Sequence, residues 1–305
     1  MLSKYVRSFR ESASKNDYER DRKLKPLKGI EIDKDIKYGR GGKYNLLDVY
    51  YPSKTKKKLP VIINVHGGGY VYGYKEIYFH YCLFLAKQGF SVINFNYHLA
   101  PEKKFPTQLE DINKVLWWIN ENKNNYFFDI NNVFMVGDSA GAQLVSHYLA
   151  IYSNQEFAKL FSFKIPSMIK IKAAGLNCGL FDLSDAYKKN PLITINHVSK
   201  TMKSFDCYLG RKRDEIYPLT QFLCYINSNY PPCSFITSYY DFLKENSKPM
   251  SDFLVSKNVE TEFDLYGDEK KTYLTHVFHV NMNLKEAKIA NLKQINFFKK
   301  YIDEE

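Results

Sequence analysis

The chain has 305 residues, 45% of them apolar, and a formal net charge of +11. That is enough for one domain with a substantial buried core, and no apolar run approaches the roughly eighteen residues that a membrane-spanning helix needs. The positive charge collects near the N-terminus and in Lys54-Thr55-Lys56-Lys57-Lys58, where no nucleic-acid motif accompanies it, so solvated surface is expected and no nucleic-acid partner.

Residues 1 to about 40 are highly charged, with Tyr5, Val6 and Phe9 spaced for one helical face. No apolar stretch follows Met1, so a signal peptide is not expected and a cytoplasmic location is. Segments 44–51, 61–65 and 91–97 read as strands, and 107–120 as a helix with Trp117 and Trp118 turned to the core. Val133-Phe134-Met135-Val136 is a short apolar run, and an amphipathic stretch over 142–150 comes soon after it. A strand is expected at 169–176. Residues 183–229 lack alternation and read as an insertion. Segment 233–240 is a further strand. Pro249 places the start of the next helix near Ser247. Segment 262–266 is a last strand before a C-terminal helix over about 284–301. Alternating strands and helices predict an α/β fold, with a mainly parallel sheet and helices on both faces. Five scattered cysteines without a C-x-x-C pair (Cys82, Cys178, Cys207, Cys224, Cys233) read as reduced residues, neither metal ligands nor a disulfide frame.

The chemistry sits between those elements. Gly137-Asp138-Ser139-Ala140-Gly141 lies between an apolar run and an amphipathic one, the setting of a nucleophile elbow. A serine at such a turn needs strained backbone, and glycines two places to either side remove Cβ atoms that would clash. The strand at 61–65 runs into His66-Gly67-Gly68-Gly69, whose bare amides suit one side of an oxyanion hole, with the amide of Ala140 on the other. No Lys-Ser/Thr pair follows these glycines, so a P-loop is excluded, and the dinucleotide register is absent. His66 is expected to position the loop and not to act as a base.

Histidines after Ser139 are His147, His197, His276 and His279. His147 falls within the elbow helix and His197 in the insertion, whereas His276 and His279 lie in the last strand-to-helix connection. Asp241 ends the strand at 233–240, where open parallel sheets carry functional groups, and Asp182 is the weaker candidate acid.

Together, His66-Gly67-Gly68-Gly69, Gly137-Asp138-Ser139-Ala140-Gly141, Asp241-Phe242-Leu243 and His276-Val277-Phe278 resemble the hormone-sensitive-lipase-like branch of the α/β-hydrolases, a family of serine carboxylesterases. Tyr97-His98-Leu99-Ala100-Pro101-Glu102 is similar to the family's Y-R-L-A-P-E, with His98 in place of arginine, and Pro106 to Asp111 is similar to its P-x-x-x-x-D segment. The resemblance implies an α/β-hydrolase fold with a helical lid, no cofactor and a preference for short acyl chains. It selects His276 over His279 as base and gives Ser139, Asp241 and His276 as the catalytic triad. Gly68, Gly69 and Ala140 become the oxyanion donors, with Gly67 as a further candidate. A single domain spanning 1–305 is expected, with the lid formed by about 1–40 and about 183–229. Tyr70, Tyr74 and Asp138 are the substrate-binding candidates. Tyr187, Phe205 and Tyr208 are further residues for the pocket wall.

The expected function is cleavage of a small-molecule carboxylic ester through an acyl-enzyme, without a metal. A peptidase or amidase with the same triad, or a non-catalytic ligand-binding version of the fold, are the rivals. A homo-oligomer stays open.

Overall fold

The computed structural model describes residues 3–55, 57–183, 199–210 and 213–303. Its centre is an eight-stranded sheet. The strands are β1 (Ile30–Lys37), β2 (Leu46–Pro52), β3 (Leu59–Val65), β4 (Ser91–Phe95), β5 (Phe128–Asp138), β6 (Ile171–Asn177), β7 (Cys233–Ser238) and β8 (Thr261–Tyr266). They lie in the order β1-β2-β4-β3-β5-β6-β7-β8. β1 with β2 and β2 with β4 pair antiparallel, and every later pair is parallel. The chain steps outward from β3 to β4 and then returns past β3 to β5. This reversal opens a crevice beyond the carboxyl ends of β3 and β5, where such sheets bind ligands. Both candidate motifs begin at those two ends.

Among the described residues the helices are α1 (Lys4–Asp21), α2 (Phe79–Lys87), α3 (Thr107–Asn122), α4 (Ala140–Ser153), α5 (Gln155–Ala158), α6 (Ser199–Leu209), α7 (Tyr217–Thr220), α8 (Lys244–Ser256) and α9 (Lys285–Lys299). Side chains alternate along a strand, so β3 feeds two cores. Val61, Ile63 and Val65 pack with apolar residues of α3, α4 and α8, while Ile62 packs with α2 and α9 on the opposite face. Helices therefore cover both faces, and the strands between them are apolar throughout because both sides are buried.

Three local expectations need correction. Residues 30–37 belong to the sheet as β1 and not to a lid; this edge strand is charged, since one of its faces meets solvent. Helix α8 starts at Lys244, so Pro249 is its sixth residue and forfeits the one bond that an N–H there would give to the Glu245 carbonyl. Trp118 is in the core, but Trp117 is only half-buried, its indole N–H donating to the carbonyl of Lys164 at 2.8 Å.

Helix α1 is fixed across the carboxyl end of the sheet. Ser3 caps it by accepting from the Val6 amide. The Arg10 guanidinium donates to both oxygens of Glu102, at 2.8 and 2.9 Å, and to the carbonyl of Val71. Glu102 is the last residue of the segment in which His98 replaces the arginine of the resembling family. The His98 ring bonds to Asp111 at 2.6 Å, so the two similar segments meet each other through that pair.

Candidate active site

Ser139 sits at φ 53° and ψ −119°, a strained conformation between β5 and α4. The flanking glycines are obligatory on steric grounds. A Cβ on Gly141 would stand 2.1 Å from the Val65 carbonyl oxygen, and one on Gly137 2.5 Å from backbone atoms of Gly141. The elbow is thereby pressed against the end of β3, the strand that carries the glycine loop. The Ser139 amide donates to the Asn177 carbonyl at 2.9 Å, which ties the turn to β6.

The Ser139 hydroxyl reaches His276 Nε2 at 3.0 Å, and His276 Nδ1 reaches Asp241 Oδ1 at 2.7 Å. These three residues come from positions far apart in sequence, and the strand ends bring them together. An isolated bridge between Tyr240 and Thr275 and a bond from the Ser238 hydroxyl to the Thr275 carbonyl dock the His276 loop on the end of β7. Asp241 is buried and held from several directions, by the Leu243 amide at 2.8 Å and the Thr237 hydroxyl at 2.9 Å. Burial works to raise its carboxyl, but the neighbouring His276, the Leu243 amide and the Cys178 thiol outweigh that and hold it below the usual carboxylate range. Asp241 therefore also caps the turn into α8, and one carboxylate serves both purposes. With its Nδ1–H given to Asp241, the ring of His276 presents a bare Nε2 to the serine.

The other histidines are engaged elsewhere. His66 is buried, stacks on Tyr97 with centroids 4.0 Å apart and pairs with the Gly67 carbonyl; burial takes it down to about 4. His147 is packed in the core with Nε2 on the Leu219 carbonyl at 2.9 Å. His279 is buried against Tyr81, and burial takes it down to about 3. His197 lies outside the described residues. Asp182 is buried, and the carboxylate that His276 engages is Asp241, not Asp182.

Of the glycine loop, Gly68 and Gly69 have positive φ, 110° and 58°, and their amides make no hydrogen bond among the described residues. Gly67 departs from expectation. Its N–H donates to the Tyr78 hydroxyl at 2.9 Å and is not free for a substrate. That hydroxyl in turn donates to the Asp138 carboxylate, 2.7 and 2.8 Å from its two oxygens. Asp138 is wholly buried, which pushes it up to about 6, against the lowering pull of the Tyr78 bond and of His276. Tyr78 thus joins the elbow to the loop, and nothing in its local sequence marks it for that role.

A cavity of about 830 Å³ opens above Ser139. Tyr5, Phe9, Tyr72 and Phe205 form an apolar wall, and Phe242 and Tyr273 stand on the His276 side. Tyr70 also lines it, stacked on Tyr208 at 3.9 Å and bonded to Gln143. Asp138 contributes to the floor, but with both oxygens turned onto Tyr78. Tyr74 does not line the cavity, and Tyr208 supports Tyr70 from behind it. Tyr187 lies outside the described residues. The Tyr5 hydroxyl bonds to the Ser204 hydroxyl at 2.7 Å, linking α1 to α6 across the cavity roof.

Residues 47–248 match the family model described as BD-FAE. The chain is 35% identical over 124 residues to the putative alpha/beta hydrolase R526 of Acanthamoeba polyphaga mimivirus, covering 40% of this chain and 36% of that protein. It is 25% identical over 205 residues to esterase LipQ of Mycobacterium tuberculosis, covering 65% and 46% of the two. The matched stretch thus spans between about a third and a half of these curated relatives. Esterase B from Lactobacillus Rhamnosis superposes with a TM-score of 0.86 at 23% identity, over 97% of this chain and 93% of that one. The sheet and its helices are therefore the α/β-hydrolase fold, in agreement with the resemblance carried by the sequence blocks.

Proposed function

The chain belongs to the BD-FAE family, and on that footing we propose that it is a serine carboxylesterase acting on small carboxylic esters. The observation that supports this most directly is the unbroken line of contacts from Ser139 through His276 to Asp241. A hydroxyl bonded to a bare imidazole nitrogen, with a buried carboxylate behind the ring, is the arrangement that activates an alcohol for acyl transfer.

The Ser139 oxygen attacks the ester carbonyl while its proton passes to His276 Nε2. Asp241 keeps the ring's tautomer and stabilises the imidazolium that forms. The negative charge on the former carbonyl oxygen is met by the amides of Gly68, Gly69 and Ala140, the last at the N-terminus of α4, where the helix dipole favours an anion. Each such donor contributes about 3 kcal/mol to the barrier reduction. His276 returns its proton to the leaving alkoxide, and the alcohol departs. Water then attacks the acyl-enzyme, with His276 again as base. Gly67 acts one step removed, as the point where Tyr78 fixes the loop.

The apolar wall from α1 and α6 receives the acyl chain, and these two helices serve as the lid. No helix among the described residues is long and apolar enough to cross a membrane. The five scattered cysteines, none of them paired, support a cytoplasmic location for this enzyme.

Turnover of p-nitrophenyl acetate and butyrate tests the reading. Wild-type protein is expected to hydrolyse both, and Ser139→Ala to retain the fold and lose turnover. If the two proteins were equally inert on esters of every chain length, while amides were cleaved by the wild type, the assignment would pass to an amidase.

A further inference from the structure

Beside the catalytic carboxylate lies a group with no assigned part in acyl transfer, the thiol of Cys178, which donates a hydrogen bond to Asp241. The Cys178 Sγ, an oxygen of Asp241 and a ring nitrogen of His276 all lie within 4.8 Å of one another. Cys178 is fully buried where β6 ends, its amide bonded to the Ile236 carbonyl at 2.8 Å at the end of β7. It is held at φ 50°, a conformation that is unfavourable for any residue except glycine, asparagine or aspartate. A glycine would relieve this strain, yet the position carries a thiol.

We propose that Cys178, Asp241 and His276 form an inhibitory site for a thiophilic divalent cation such as Zn²⁺. Sulfur, imidazole nitrogen and carboxylate oxygen are the three donor types that Zn²⁺ takes, at about 2.3, 2.0 and 2.1 Å respectively. Tetrahedral coordination needs the Nδ1 and carboxylate oxygen about 3.4 Å apart. They now stand 2.7 Å apart, so the two side chains must separate by less than the width of an atom. Water or an incoming anion would complete the fourth position.

The effect on catalysis follows from proton positions. The cation displaces the proton that the Cys178 thiol holds against Asp241, and the sulfur binds as thiolate while that proton leaves to solvent. The Nδ1 lone pair of His276 goes to the cation, so the single proton of the neutral ring resides on Nε2. That nitrogen can then donate to Ser139 but cannot accept its proton, and the general base is lost while the ring stays beside the serine. Asp241, drawn to the cation, no longer sets the tautomer. Such a cation is an inhibitor here and not a cofactor, because two of its three donors, His276 and Asp241, are taken from the catalytic triad. The loss of turnover rests on the hydrolase reading above, whereas the binding itself does not.

The test uses the full chain with Cys207→Ser and Cys224→Ser, which removes the two cysteines that are not buried. CdCl₂ is titrated while two signals are followed, the ultraviolet cadmium–thiolate charge-transfer band and p-nitrophenyl butyrate turnover. One equivalent is expected to raise the band and abolish turnover in step, with EDTA reversing both. Adding Cys178→Ser should remove the band and weaken the inhibition at least about tenfold, the scale on which metal sites respond to loss of a supporting group. Cys178→Ala provides a second variant if the serine form is unstable. The proposal is overturned if the variants are inhibited at the same concentration as the parent, or if the parent shows no band. Failure of the esterase reading would look different, with no turnover to inhibit but the band still present.

Discussion

Replacing Tyr78 by phenylalanine removes one oxygen and unpairs two buried groups. The Gly67 amide loses its acceptor and the Asp138 carboxylate loses its donor, both away from water. An orphaned buried amide costs about 1–3 kcal/mol, and a hydrogen bond to a charged group contributes about 1.5–3 kcal/mol. The carboxylate has a way out. Asp138 already titrates at about 6, so protonating it at pH 7 costs only about 1.4 kcal/mol. Tyr78→Phe is therefore expected to take up a proton at Asp138, at a cost of about 2 kcal/mol at pH 7.5, and with the orphaned Gly67 amide to lose about 3–5 kcal/mol of stability there. Below pH 6 the loss shrinks, because the wild type is then protonated at the same place. The glycine loop also loses its anchor, and a displacement of about 1 Å at a catalytic group costs on the order of 100-fold in rate. kcat should fall roughly ten- to a hundredfold with KM little changed. Urea unfolding at pH 5.5 and 7.5, with steady-state kinetics on p-nitrophenyl butyrate, measures both effects. A variant that kept wild-type kcat and the same stability deficit at both pH values would refute the coupling of elbow to loop.

Asp138→Asn isolates the titration itself. Burial lifts this carboxyl from its ordinary 3.8 to about 6, so the folded state binds more protons than the unfolded one between those values. Stability contributed by the group is present below pH 3.8 and is lost as the pH rises through 6, by about 3 kcal/mol in all. The asparagine form lacks this loss, so its urea midpoint should gain on the wild type across that interval; a constant difference would exclude the linkage. Asp241→Asn leaves the geometry but favours the wrong imidazole tautomer, and kcat should drop about 10⁴-fold while the circular dichroism spectrum is unchanged. Gly141→Ala places a methyl 2.1 Å from the Val65 carbonyl oxygen, so little soluble, cooperatively melting protein is expected. Recovery of a normal melting curve would mean that the elbow can move off β3.

The sheet interior and its functional ends were legible in the sequence for the same reason. Strands buried on both faces leave uninterrupted apolar runs, and the residues just beyond them are those that cannot be apolar. His66 to Gly69, Ser139 and Asp241 follow that rule, whereas His276 lies in the loop well after β8 and was picked out by its own short motif. β1 was missed because Glu31, Asp33, Lys34, Asp35 and Lys37 face solvent or neighbouring charges at a sheet edge, where burial imposes no pattern. The early start of α8 was missed because a proline is tolerated one turn in, where little hydrogen bonding is forfeited. Tyr78 was invisible for another reason. Its partners, Gly67 and Asp138, are 11 and 60 residues away, and a tyrosine in an apolar helical stretch looks like any packed aromatic. Gly67 could not be told from Gly68 and Gly69 without that partner.

The separation between α1 and the rest of the cavity has an evolutionary consequence. The residues that handle protons and charge grow from strand ends, where a change disturbs the whole sheet. The cavity wall proposed to receive the acyl chain is carried partly by Tyr5, Phe9 and Ala13, on a helix joined to the body by side-chain clasps such as Arg10 with Glu102. Substitutions there can recut the range of acids accepted while leaving the reaction's machinery untouched. New substrate preferences can thus arise in this lineage at one end of the chain, by mutations that put little of the fold at risk.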